Sequence, residues 1–99
     1  MQIEKIKDGN NLTIALEGRL DTMTSPELEA ALDGAFAGLE TLVFDLAKLD
    51  YISSAGLRVL LSSQKKMTAA SGKMIVKNVS EEIMEIFDVT GFADILTIE

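Results

Sequence analysis

The run Leu42-Val43-Phe44-Asp45-Leu46 constrains this chain more than any other feature. It lacks the in–out alternation of a half-solvated strand, the pattern of a strand buried at the centre of a sheet. Helical spacing flanks it on both sides. Before it, Leu28, Leu32 and Phe36 recur every four residues with Ala31 and Ala35 beside them, predicting a helix over 25–37 that stops near Gly38. After it, Leu57, Leu60, Leu61, Gln64 and Met67 trace one face of a helix from Ser54 to Ala70, ended by Ser71-Gly72. Lys73 to Asn78 reads as the next strand. Ser80 caps a third helix, Glu81 to Val89, with Ile83, Ile86 and Phe87 inward and Gly91 as the stop. Residues 95–98 read as a last strand.

Strand–helix–strand–helix–strand with short connections makes parallel βαβ units with right-handed crossovers. Ahead of them, residues 2–7 and 11–18 predict a β-hairpin around Asp8-Gly9-Asn10. Its second arm alternates Leu12, Ile14 and Leu16 with Thr13, Ala15 and Glu17; in its first, Ile3 and Ile6 can share a face only through a bulge. The next helix starts either on a capping box of Thr24 with Glu27, or on Ser25 with Pro26 at the first helical position. The expected fold is a small α/β domain over residues 1–99, an N-terminal β-hairpin joined to a parallel βαβαβ core with helices packed on the sheet.

Charge and composition exclude several functions. A net charge of -7 opposes binding to nucleic acid or anionic lipid. Lys65, Lys66, Lys73 and Lys77, the densest basic group, read as a solvated helix face and strand end. An acidic surface suits a partner with a basic docking patch. Cysteine is absent, which removes disulfides, thiol nucleophiles and cysteine-ligated metals and fits a reducing compartment. No stretch approaches the ~18 apolar residues of a membrane span, and Met1-Gln2-Ile3-Glu4-Lys5 is no signal peptide, so the expected location is cytoplasmic, without membrane insertion.

Chemistry concentrates at Ser53-Ser54-Ala55-Gly56. Ligands in open α/β sheets gather outside the carboxyl ends of strands, and the segment from Ala47 to Ser53 reads as a loop leaving such an end. A hydroxyl at the following helix N-terminus meets unpaired N–H groups and the positive end of the helix dipole. Ser54 is therefore a candidate phosphate carrier, with the alternative that it is a plain cap worth ~1 kcal/mol. Ser53 stands beside it, Asp21 is a candidate neighbour, and Ala55 and Gly56 leave the spot unshielded. Arg58 and Val59 are expected outward or at the rim, as secondary contacts.

Enzyme chemistry lacks its residues. The chain has no histidine, and Ile52 stands where the nucleophile elbow of hydrolases needs glycine. A phosphohistidine carrier fails likewise. The acidic pair and late lysine of a phosphate-accepting receiver are missing, so Asp45 reads as a strand-end residue bonded to nearby backbone. No nucleotide-binding glycine loop or metal-spaced carboxylate cluster is present, and Glu81, Glu82 and Glu85 read as a solvated helix start. No catalysis, cofactor or metal is expected.

The motif Asp45-Leu46-x-x-Leu49-x-Tyr51-Ile52-Ser53-Ser54-Ala55-Gly56-Leu57 resembles the signature of STAS domains, specifically stand-alone bacterial anti-sigma-factor antagonists. Gly18-x-Leu20-Asp21-x-x-Thr24 and Val89-Thr90-Gly91-Phe92 are similar to two further family motifs, and the resemblance covers essentially the whole chain. It implies a partner switch: an anti-sigma factor with serine kinase activity binds the unmodified protein and releases it after phosphorylating a serine, and a PP2C-type phosphatase reverses the change. Carried over, the acceptor falls on Ser54, with Ser53 as alternative, and the acidic docking residue on Asp21. Partner contacts would come from Asp21, Thr24, Ser53, Ser54, Ala55, Gly56, Leu57, Arg58 and Val59. Ser53 replaces the usual aspartate before the acceptor. The alternative the family offers is an unphosphorylated scaffold or accessory subunit of a sensory complex or lipid transporter.

Overall fold

The computed structural model describes residues 1–99. Strands β1 (Gln2–Asp8) and β2 (Asn11–Leu20) pair antiparallel through a two-residue turn in which Gly9 takes φ 62°. β3 (Thr41–Ile52) and β4 (Lys73–Lys77) add in parallel, giving the order β1-β2-β3-β4. Helices α1 (Ser25–Leu32), α2 (Ser54–Ala69) and α3 (Glu81–Thr90) each follow one of the three parallel strands. Their N-termini therefore gather along one edge of the sheet, where β2, β3 and β4 end.

The predicted α/β architecture is present. One face of the sheet is buried: Leu12, Ile14 and Leu16 of β2, Leu42, Phe44 and Leu46 of β3, and Met74 and Val76 of β4. They join Leu28, Leu32, Leu57, Leu60, Met67, Ile83 and Phe87 from the helices in one cluster. Burying each such side chain is worth about 2 kcal/mol, which makes this face the main stabiliser of the fold. On the other face Thr13, Ala15, Val43, Asp45 and Ile75 are only half-buried. Lys5 ties β1 to the helical layer, its Nζ donating to the Ala31 carbonyl in the last turn of α1 at 2.8 Å.

Ile3 and Ile6 take opposite faces, as their odd spacing requires without a bulge, while two further details differ from expectation. No bulge reconciles Ile3 with Ile6: the β1–β2 register is unbroken, Ile3 packs against the core beside Leu16, and Ile6 stays exposed opposite Thr13. α1 ends at Leu32, because Asp33 turns extended and Gly34 takes φ 72°, although Ala35 and Phe36 prolong the apolar spacing. The last strand is reduced to one parallel bridge between Val76 and Ile98, after a 3-10 turn over Phe92–Asp94.

The largest correction concerns Ala47 to Ser53. Residues 47–52 continue β3 as far as Ile52 and pair with β2 as far as Leu20. The ladder slips twice, between Ala15 and Glu17 and between Gly18 and Arg19, so β3 carries an extra residue at each slip. The buried positions of β3 accordingly pass from every second residue to Leu46, Leu49 and Ile52. Asp45 lies mid-strand and braces the first bulge: its Oδ1 accepts the Ala47 N–H at 3.1 Å and the Asn78 side-chain amide at 3.0 Å. The Asn78 bond first, then the Ala47 N–H and nearby lysines, hold the Asp45 carboxyl below its usual range against the opposing effect of burial.

Candidate functional site

The edge where the helices begin is assembled from two adjacent strand ends. The Ser53 N–H donates to the Leu20 carbonyl at 2.9 Å, so the segment after β2 and the start of α2 sit side by side. On the β2 side, Asp21 organises the turn. Its Oδ1 accepts the N–H groups of Met23 and Thr24 at 3.0 and 3.1 Å, and its carbonyl accepts the Ser25 N–H at 2.8 Å and hydroxyl at 2.6 Å. Thr24 Oγ1 in turn accepts the Asp21 N–H and donates to the Arg19 carbonyl, both at 2.8 Å. Neither expected cap of α1 forms: the Ser25 N–H is met by the Asp21 carbonyl and the Glu27 N–H by the Thr24 carbonyl, while the Thr24 side chain is spent inside the turn. The Thr24 N–H above all, with the Met23 N–H, the Thr24 hydroxyl and Arg19, holds the Asp21 carboxyl below its usual range.

On the β3 side the chain passes from strand to helix through a single residue, Ser53. Ser53 is the N-cap, with φ -98° and ψ 176°, yet its side chain makes no capping bond. Its Oγ is buried and has no hydrogen-bond partner. Ser54 is the first helical residue and exposed. The N–H groups of Ser54, Ala55 and Gly56 have no acceptor within the helix, because the first α2 bond is from Leu57 to the Ser53 carbonyl. The first turn contains no acidic residue.

Gly56 does not serve to leave the site open. A Cβ there would lie 2.8 Å from Ile52 Cγ1 and 2.8 Å from Leu20 Cγ, so glycine lets α2 descend onto the strand ends. Leu57 and Val59 are likewise buried, which corrects the expectation of Val59 at the rim. The surface of the site is therefore Asp21, Thr24, Ser54, Ala55 and Arg58, with Gly56, Leu57 and Val59 beneath it.

Sequence reasoning missed Arg19, Tyr51 and Met23. Arg19 pairs opposite Tyr51, its guanidinium 4.4 Å from the ring centre and its Nε 3.8 Å from Asp21 Oδ2. Met23, whose N–H is held by the Asp21 carboxylate, is 83% exposed, an apolar side chain in water at the rim of the site. The signal that finds the pair is the spacing of three at Leu46, Leu49 and Ile52, which, read as bulged strand, sets residue 51 against residue 19. Elsewhere, no three of the Asp and Glu side chains cluster in a way that could hold a metal ion, and no helix is long and apolar enough to cross a membrane.

A family model described as the STAS domain matches residues 2–99. The chain belongs to the STAS domain family. This STAS domain is 32% identical over 99 residues to BtrV of Bordetella bronchiseptica, which carries the name of an anti-sigma factor antagonist, covering 99% of this chain and 85% of that one. It is 26% identical over 98 residues to the anti-sigma-B factor antagonist of Bacillus subtilis, covering 99% and 90%. Among solved structures, the anti-sigma factor antagonist SpoIIAA in its unphosphorylated form matches with a TM-score of 0.77 at 20% identity, over 99% of this chain and 86% of that one. The phosphorylated form of SpoIIAA from Bacillus matches with 0.76 at 21%, over 99% and 89%. The STAS fold here thus fits both forms equally well.

Proposed function

We propose that this STAS domain is an anti-sigma-factor antagonist that switches partners through Ser54. The observation that carries the reading is the accessible Ser54 hydroxyl on an uncapped, acid-free helix start, next to a Ser53 hydroxyl that is buried. Relatives named as anti-sigma factor antagonists supply the class of partner. The chain is a regulatory binding protein, as those relatives are, and not an enzyme.

Unmodified, the edge bearing Asp21, Thr24, Ser54, Ala55 and Arg58 docks on the anti-sigma factor and displaces the sigma factor. The anti-sigma factor, acting as a kinase, transfers the γ-phosphoryl group of ATP: the Ser54 Oγ–P bond forms, the bond from phosphorus to the departing ADP oxygen breaks, and the hydroxyl proton passes to a base of the kinase. The product carries about -1.5 to -2 added charges at the centre of the interface. If desolvating that group costs ~3 kcal/mol, affinity falls on the order of a hundredfold, enough to dissociate a micromolar complex. The fold need not change, because the α2 N–H groups accommodate the anion. A PP2C-type phosphatase resets the cycle.

A second reading is favoured by Ser53 standing at the family's usual aspartate position: a scaffold or transporter subunit that binds through the same edge without modification. Incubation with the cognate kinase and ATP, followed by mass mapping of wild type, Ser54→Ala and Ser53→Ala, separates the two. The switch predicts phosphate on wild type and Ser53→Ala but not on Ser54→Ala. Phosphate on Ser54→Ala refutes the acceptor, and none on any chain favours the scaffold.

A further inference from the structure

We infer that Arg58 is the intramolecular receptor of the phosphoryl group on Ser54, so that the modified state is held by the chain itself as well as shed by its partner. This deepens the partner-switch reading and rests on Ser54 as the acceptor. Ser54 and Arg58 are four residues apart on α2 and both exposed. Residues at that spacing share a helix face, and long side chains lean toward the N-terminus, so the Arg58 stem runs back over the Ser54 turn.

Arg58 also has no counter-charge on its own helix, which contains no Asp or Glu. Arg58 is the fifth residue of α2, one turn past the start, where an acidic residue in the first turn would lie within reach of it. α1 has Glu27 in its first turn and α3 has Glu81 and Glu82, whereas α2 has none. Arg58 makes no ion pair, side-chain hydrogen bond or ring contact, while the other arginine of the edge, Arg19, is engaged by Tyr51 and Asp21. Asp21, the acidic residue of the edge, is occupied by the Met23 and Thr24 N–H groups. Independently, the buried Ser53 Oγ leaves the helix N–H groups uncapped and is itself unpartnered. One anion placed on Ser54 answers both the unpaired cation and the unpaired N–H groups, in a charge-assisted geometry suited to a guanidinium fork.

Phosphoserine installed at position 54 by genetic code expansion requires no kinase, and phosphorus NMR then follows its second ionisation. In the wild-type chain the midpoint is expected below the ordinary value of about 6. It should rise by roughly half a unit to one unit in Arg58→Ala, recover in part in Arg58→Lys, and not move in Arg19→Ala. The Arg58 difference should shrink in about 0.5 M salt. Equal midpoints in wild type and Arg58→Ala, or a larger shift in Arg19→Ala, overturn the assignment. Because the phosphoserine is built in during translation, an Arg58-dependent titration in a chain that the cognate kinase leaves unmodified would refute the partner switch and leave the clamp standing.

Discussion

Helices α2 and α3 start at the same edge of the sheet on comparable segments, Ser53-Ser54-Ala55-Gly56 and Ser80-Glu81-Glu82-Ile83, and solve the start in opposite ways. At α3 the Ser80 hydroxyl accepts the Ile83 N–H at 3.2 Å, two glutamates face the dipole, and Ile83 seals the turn into the core. At α2 the cap is unused, no acid is present, and the third position is glycine. Cap and acids together are worth roughly 2 kcal/mol to a helix start. α2 forgoes that stabilisation and keeps its N–H groups and positive end free. The lesson is that α3 begins where stability is wanted, and α2 where an anion can be received.

The largest effects should come from the third positions, which demand opposite sizes. Ile83→Ala is expected to cost about 3 kcal/mol by leaving a cavity, whereas Gly56→Ala should cost about 2 kcal/mol by forcing a methyl group against Ile52 and Leu20. Urea unfolding measures both; a neutral Gly56→Ala would show that α2 can ride higher on the sheet. At the cap positions the contrast should be smaller but just as clear. Ser80→Ala should lose about 1 kcal/mol, while Ser53→Ala should lose nothing or gain about 0.5 kcal/mol, since it removes an unpartnered buried hydroxyl. Equal losses at the two sites would dissolve the distinction between the helix starts.

The smallest effect is on acid stability. Asp21 and Asp45 titrate below their usual range when folded and near it when unfolded. Their contribution is complete above about pH 4 and fades as pH falls through the folded values. Thermal melts of Asp21→Asn and Asp45→Asn should therefore differ most from wild type near neutrality and converge with it in acid. A constant difference at every pH would place the effect of each substitution outside carboxylate ionisation.

What the sequence disclosed follows the same division. The hairpin, the Ser80 cap, the Gly91 stop and the start of α2 at Ser54 were legible, because each rests on local chemistry or simple periodicity. The end of β3 was not, because two bulges replace alternation with the spacing of Leu46, Leu49 and Ile52, which imitates a loop. The buried face of α2 was misjudged for another reason. Gly56 and Ser63 are buried where the helix approaches its neighbours closely, and hydrophobic spacing cannot register burial of small residues. With those positions turned inward, Val59 is buried too, while Leu61 and Gln64 are only half-buried. At the site, Ser54, Asp21 and Arg58 could be named from their positions around the motif. Arg19 and Tyr51 could not, since only the bulged register brings them together.

The most direct test is calorimetric binding to the cognate anti-sigma factor of two chains that differ only in phosphate on the Ser54 oxygen. On the present account the modified chain binds on the order of a hundredfold more weakly, with Ser54→Ala retaining the affinity of the unmodified protein. Affinities for the modified and unmodified chains that agree within about twofold would contradict it.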